Sequence, residues 1–272
     1  YACLKGEMRL AGPKKDLVIP WPFAATKVGT NQDTALLKII AMITMLIDHS
    51  GKMLFPQYPI MRVIGRIAFP LYAYCIAVGC VYTHNPLRYF KRIVLLALIS
   101  QPIYAVALAH TTNAMYAYSF TEQPLRAAVQ FYVESWSHPS ILLSLAFGIL
   151  LIWALREKQL LLFFAVGLFC YQIQGKLDYG FKGLMLMLLF YVTCPKWYLM
   201  LPIVGAYMLW WGGLGSGYSL FGMQFGIQIF MLPALILVLI RTKSGIKMNK
   251  WLFYFYYPAH LILIYLLDRF IF

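Results

Sequence analysis

Asp48 and His49 stand side by side in Leu36–Phe55, LLKIIAMITMLIDHSGKMLF, a stretch that is otherwise apolar. At roughly 20 residues it is long enough to cross a bilayer core as a helix. One ionisable group at that depth costs about 2.5–3.5 kcal/mol, so it normally faces protein or a wet cavity. Successive helical residues project about 100° apart, so both side chains can line one site. Imidazole accepts a proton near neutral pH, and a neighbouring carboxylate can orient it or stabilise its cation. The competing interpretation is a polar cluster that ties this helix to its neighbours.

Further residues able to do chemistry recur along the chain. Arg62 and Arg66 lie four apart on one helical face and can approach Asp48. A buried guanidinium pairs a carboxylate or an anionic oxygen through its planar fork, whereas snorkelling to headgroups needs no partner. Gln101-Pro102 interrupts an apolar run, as a kink or with Gln101 facing a cavity. Asp178, before Tyr179 and Gly180, can cap a helix or serve the same site. Tyr256, Tyr257, Pro258 and His260 sit in the middle of the last apolar segment, where phenols can donate hydrogen bonds beside a second intramembrane histidine. His110 and His138 bracket a long connection, but two histidines without a third ligand make no metal site, and none is expected. The five cysteines show neither a CxxC nor a histidine at metal spacing. Nucleotide-binding and hydrolase fingerprints are absent from the sequence.

The elements that must position these residues follow from composition. Of 272 residues, 62% are hydrophobic and 12% charged, against about 25% charged in a soluble domain. This is the pattern of an all-α, polytopic integral membrane protein. Nine apolar segments fall at approximately 35–55, 60–83, 89–109, 139–155, 158–173, 178–194, 197–212, 218–240 and 250–270. They predict about nine transmembrane helices, with a range of eight to ten. Residues 1–34 read as a basic cytoplasmic arm, and 35–272 as the transmembrane domain. The net charge of +14 would fit nucleic acid in a soluble chain; here the positive-inside bias accounts for it, and no nucleic-acid partner is expected. Fifteen cations, including those of the arm, Arg88–Arg92 and Arg241–Lys250, fall on one side of this topology. Lys52, Arg62, Arg126, Lys176 and Arg269 fall on the other. That asymmetry places the N-terminus in the cytoplasm and the C-terminus outside. The 110–138 connection is then extracytoplasmic; its middle, Glu122–Trp136, has the spacing of an interfacial helix able to cover an outward-facing site.

Five phrases in order, LKIIAMITMLIDHSG, RVIGRIAFPLYAY, ISQPIYAVAL, LDYGFKG and FYFYYPAHLILIYLL, resemble the TraX family over about Ala35 to Leu267. That family is named for the conjugation protein that acetylates the N-terminus of F-type pilin. It is similar to the larger set of multi-helix membrane acyltransferases, which use acetyl-CoA and a membrane-embedded histidine. The resemblance implies that Asp48 and His49 form the catalytic centre of an acyltransferase-like domain. It makes Arg62, Arg66, Gln101, Asp178, Tyr179, Tyr257 and His260 candidates for substrate or donor binding. It also implies a bacterial cytoplasmic (inner) membrane. Where many relatives open the fourth helix on an Asn-led phrase, this chain has His138-Pro139-Ser140, and the 110–138 connection is longer than usual.

The expected function is therefore transfer of acetyl from acetyl-CoA to an amine or hydroxyl. The acceptor would be an extracytoplasmic or membrane-associated peptide N-terminus, such as that of pilin, or an envelope glycan. His49 is the expected base, or the carrier of an acetyl-histidine, and Asp48 its orienting partner, with Tyr257 and His260 near the oxyanion. Transport or flipping of an amphiphile through the same polar residues is the alternative. The orientation has a direct check. A cysteine introduced at Ser119 should react with an impermeant thiol reagent in intact cells; protection until lysis would reverse the topology.

Overall fold

The computed structural model describes residues 25–270 except 214, 216 and 221, together with residue 23. Most of the expected arm, 1–34, lies outside the described residues. The described chain is nearly all helical: α1 Thr34–Met53, α2 Pro59–Gly65, α3 Ala68–Tyr82, α4 Pro86–Ala107, α5 Pro124–Ser135, α6 Ile141–Arg156, α7 Leu160–Gln172, α8 Gly180–Thr193, α9 Trp197–Gly213, α10 Leu232–Leu239 and α11 Lys250–Phe270. Among the described residues, three stretches are long and apolar enough to cross a membrane: Thr34–Met53, Pro59–Tyr82 and Pro86–Ala107. Several apolar helices are shorter, so the expectation of nine spans is met only in part.

Local chemistry explains the boundaries. Asp33 accepts from the backbone N–H of Leu36 at 3.2 Å and so caps α1. The Ser244 backbone N–H, at 2.6 Å, is the main cause holding the Asp33 carboxyl below its ordinary range. Asn85 caps α4 in the same way through Arg88, at 2.8 Å, with Pro86 in the first turn. At the other end of α3, Arg156 donates to the carbonyls of Cys80 and Thr83 at 3.0 and 2.8 Å. Pro102 does not break α4. The carbonyl it strands, that of Leu98, accepts from the Tyr132 hydroxyl of α5 at 3.1 Å.

The last-but-one expected segment departs most from expectation. Residues 218–240 do not form one helix. Tyr218–Leu220 and Met223–Phe225 make an antiparallel hairpin in the register Tyr218↔Phe225, followed by a short 3₁₀ turn and the eight-residue α10. Gly222 at φ 78° takes a conformation that side chains resist. Apolar composition alone therefore overstated the helix.

Helix α3 is the central element: Ala68 to Val78 are all buried, against α1, α6, α8 and α10. Helix α7 is peripheral and turns Leu161 (87% exposed) and Phe164 (68%) outward. A bundle that is apolar outside as well as inside suits lipid rather than water. The ends opposite the site are held by residues 28–33. Tyr74 donates its hydroxyl to the Asn31 carbonyl at 2.5 Å, Asn31 Nδ2 donates to the Leu237 carbonyl at 3.1 Å, and the Gly29 N–H to Cys194 at 2.8 Å.

The approach of α1 to α2 positions the Asp48 turn. A Cβ added at Gly51 would lie 2.5 Å from the Met61 Cβ, closer than carbon atoms can pack. Gly51→Ala should therefore destabilise the detergent-solubilised protein by about 1–3 kcal/mol. An unchanged thermal midpoint would mean that the two helices do not meet there.

Candidate active site

The turn between α2 and α3 builds the charged part of the site. Backbone bonds from Arg66 to Val63 and from Ile67 to Ile64, both 3.2 Å, tighten the chain there. Arg62 and Arg66 are thereby brought against the last turns of α1. Arg62 Nη1 donates to Asp48 Oδ2 and Arg66 Nη2 to Asp48 Oδ1, each at 2.5 Å. Arg62 also donates to the Asp48 carbonyl at 3.2 Å. Both carboxylate oxygens are thus engaged by different guanidinium groups. Gly65 makes room for this, because a Cβ there would fall on the Asp48 carboxylate.

His49 is held differently. Its Nδ1 lies 2.9 Å from His260 Nε2, and His260 Nδ1 lies 2.9 Å from the Tyr256 carbonyl. A carbonyl only accepts, so His260 Nδ1 carries a proton and neutral His260 presents Nε2 as an acceptor. His49 Nδ1 then donates, which leaves His49 Nε2 with its lone pair. The His49 and His260 rings lie edge to edge in nearly one plane, with centroids 5.1 Å apart, and the Tyr256 ring lies parallel to that of His260 at 4.9 Å. The Tyr256 hydroxyl anchors these rings to the Met42 carbonyl of α1 at 2.7 Å. Asp48 was expected to orient His49. The fold assigns that task to His260 and spends Asp48 on the arginines.

A cavity of about 310 Å³ joins these groups. Asp48, His49, Arg62, Arg66, Asp178 and Tyr179 line it, with Lys52, Tyr104, His110, His138 and Lys176. Tyr179 stands in the left-handed region at φ 60°. That turn stacks its ring on Phe69 at 4.0 Å and sets it 5.9 Å from the Arg66 guanidinium. His260 is not in the lining; it lies behind His49. Tyr257, expected with His260 near the oxyanion, lines a small neighbouring pocket that shares Met45, Tyr72 and Ile141 with this cavity. Gln101 is buried and used structurally. It donates to the Ser135 and His138 carbonyls at 2.6 and 3.0 Å and accepts from the Ser140 N–H at 2.9 Å.

The mouth is formed by both ends of the 110–138 connection rather than by α5 itself. Lys52 donates to His110 Nε2 at 3.2 Å, and the His110 and His138 rings lie 4.9 Å apart. Burial, with Lys52 and His138 adding to it, pushes the His110 imidazole down to about 4, so it is neutral at neutral pH. Sequence reasoning passed over Lys52, although it lies four residues beyond Asp48 on α1 and so belongs on the same face. Tyr104 is likewise three residues beyond Gln101 on α4. Among the described residues no group of three or more His, Cys, Asp or Glu is placed to hold a metal ion.

A family profile described as TraX protein matches residues 33–268. The chain belongs to the TraX family. The match spans every element that lines the cavity. A protein of Dichelobacter nodosus, "Probable fimbrial assembly protein FimC, serogroup H1", is 25% identical over 247 residues, covering 84% of this chain and 92% of its own. An uncharacterized protein of Rickettsia prowazekii (strain Madrid E) is 33% identical over 121 residues, covering 40% and 45%. No solved structure matches this TraX-family chain.

The ion-pair geometry predicts an order of stabilities. Asp48→Asn leaves two guanidinium groups under-compensated, and loss of one partner of a buried pair costs about 3–5 kcal/mol. Arg66, whose side chain is 9% exposed, should cost more to replace by Met than Arg62, at 30%. Thermal unfolding in detergent reads that order; an Arg62→Met variant less stable than Arg66→Met would contradict it.

Proposed function

We propose that this TraX-family protein is a membrane acetyltransferase that moves acetyl from acetyl-CoA to an amine, with His49 as general base. One observation carries the reading: the bond from His49 Nδ1 to His260 leaves Nε2 as the basic atom of a residue lining a cavity that also holds two guanidinium groups. The relative named for fimbrial assembly, and a family named for pilin acetylation, favour the N-terminal amine of a pilus subunit over a glycan hydroxyl. The bundle's position in a bacterial inner membrane, with the cavity mouth facing outward, belongs to the same proposal.

The lining suits an amine. Lys52, Arg62, Arg66 and Lys176 outnumber Asp48 and Asp178 around the cavity. An α-amino group titrates near 7.7–8.0 in water, and a surplus of cations lowers that value, so more of it arrives neutral and nucleophilic. The amine nitrogen attacks the thioester carbonyl carbon and forms the C–N bond. His49 Nε2 takes the proton the amine must lose, and the resulting imidazolium keeps its Nδ1–H on His260. Negative charge on the tetrahedral oxygen is met by Arg62, which is the more open of the two guanidinium groups. The C–S bond then breaks, and the departing thiolate takes the proton from His49 as free CoA. Asp48 acts on the arginines: it fixes their planes and offsets their charge.

Thiol release from acetyl-CoA by purified protein, with and without a pilin N-terminal peptide, tests this. His49→Ala should lower turnover by about 10²–10⁴. His260→Phe, which keeps an aromatic ring beside Tyr256 but cannot accept a proton, should lower kcat and leave the donor KM near its native value. Native turnover by His49→Ala would overturn the assignment. No thiol release from folded wild-type protein would favour the transport alternative.

A further inference from the structure

The His49 cavity opens at one end of the bundle, and a second chamber, with two cations in its lining, opens at the other. It measures about 350 Å³ and is lined by Lys38, Tyr89, Arg92 and Phe253, among others. No carboxylate is among the residues described around it. The two chambers sit at opposite ends of the same helices. Lys38 and His49 are eleven residues apart on α1, about 16 Å of helix rise. Arg92 and Tyr104 repeat the arrangement on α4.

Between the chambers lies a small pocket of about 20 Å³. It shares Met45, Tyr72 and Ile141 with the His49 cavity and Phe253 with the basic chamber. Phe253 is thus the partition. On one side Lys38 Nζ stands 5.9 Å over its ring, and on the other its ring meets Tyr72 edge-on at 5.6 Å. It occupies the first turn of α11, where intrahelical hydrogen bonds are fewest. One hydroxyl at this partition, that of Tyr72, is buried without a hydrogen bond among the described residues. A buried phenol without a partner is costly, and in a native structure it calls for an explanation.

We propose that the basic chamber is the port for the acetyl donor: Lys38 and Arg92 hold the phosphates of a CoA-type thioester, and Phe253 is the gate its arm displaces to reach His49. The proposal rests on the acetyltransferase reading above. Two cations without a competing carboxylate suit a polyphosphate. The span from Lys38 to His49 matches the extended arm that separates the diphosphate of CoA from its thioester. An amide of that arm would give the Tyr72 hydroxyl the partner it lacks. Separate ports also let donor and acceptor occupy His49 together, which direct transfer requires.

Desulfo-CoA, which carries the arm but no thiol, and adenosine 3′,5′-bisphosphate, which lacks the arm, serve as probes on detergent-purified full-length protein. Lys38→Gln with Arg92→Gln should weaken both by at least tenfold and raise the acetyl-CoA KM similarly, while Arg92→Lys recovers most of the loss. Phe253→Trp, a bulkier gate, should weaken desulfo-CoA and slow turnover while the bisphosphate binds as before. If acetyl transfer proceeds and the double variant keeps the native KM, the port is wrong and the acetyltransferase reading stands. If both probes bind through Lys38 and Arg92 but no thiol is ever released, the port stands and the acetyl reading falls. Displacement of the bisphosphate by phosphatidylglycerol micelles as readily as by CoA would make the chamber a lipid-headgroup site and overturn the proposal.

Discussion

The carboxylate of Asp48, buried and divided between two guanidinium groups, is the constraint on which the rest of the site depends. A single charge among apolar helices would be prohibitive. A carboxylate with both oxygens accepting charge-assisted hydrogen bonds is tolerable, because the arginines replace the water it lost. Each arginine in turn needs that carboxylate to be tolerated at its own depth. The pair of arginines can reach it only because α2 ends in a tight turn and because Gly65 has no side chain to block the approach. Such an arrangement adds little net stability compared with an apolar core, but it is costly to break on one side. It therefore specifies how α1 and α2 meet more than it strengthens the fold.

That pairing separates the roles of two adjacent residues. With Asp48 committed to the arginines, the imidazole of His49 has another partner across the bundle, on α11. The proton order along Tyr256, His260 and His49 follows from one backbone carbonyl that can only accept. A neutral imidazole supports its neighbour less strongly than a carboxylate would, yet it avoids burying a third charge in the same few ångströms. The arginines hold charge and the histidines hold a transferable proton, in two networks that share a cavity and no hydrogen bond.

The surroundings show how polar groups are settled in a bundle of this kind. Gln101 uses its whole amide to fix the loop from Ser135 to Ser140, which brings His138 to the cavity mouth. Pro102, one residue on, strands a carbonyl that α5 satisfies through Tyr132. The connection between His110 and His138 is thus tied to α4 at two points, and its ends shape the mouth even though α5 stays outside the cavity.

By itself the sequence determined the membrane class, the helical character, the family and the charged pairs Asp48-His49, Arg62 and Arg66 that line the cavity. These are legible because they are local: hydropathy needs only a window of about 20 residues, and a charge inside such a window marks itself. The i, i+4 spacing of Arg62 and Arg66 is local too, and so was their reach towards Asp48. What only the tertiary structure decided was partnership. Whether His49 turns to Asp48 or to His260, 211 residues away, depends on how α1 packs against α11, and no spacing encodes that. The same holds for Gln101, whose burial among loop carbonyls could not be told from a place in the cavity. It holds again for 218–240, where an apolar run long enough for a helix folds as a hairpin and a short helix. Periodicity reports which face of an element is apolar; it does not report what that face meets.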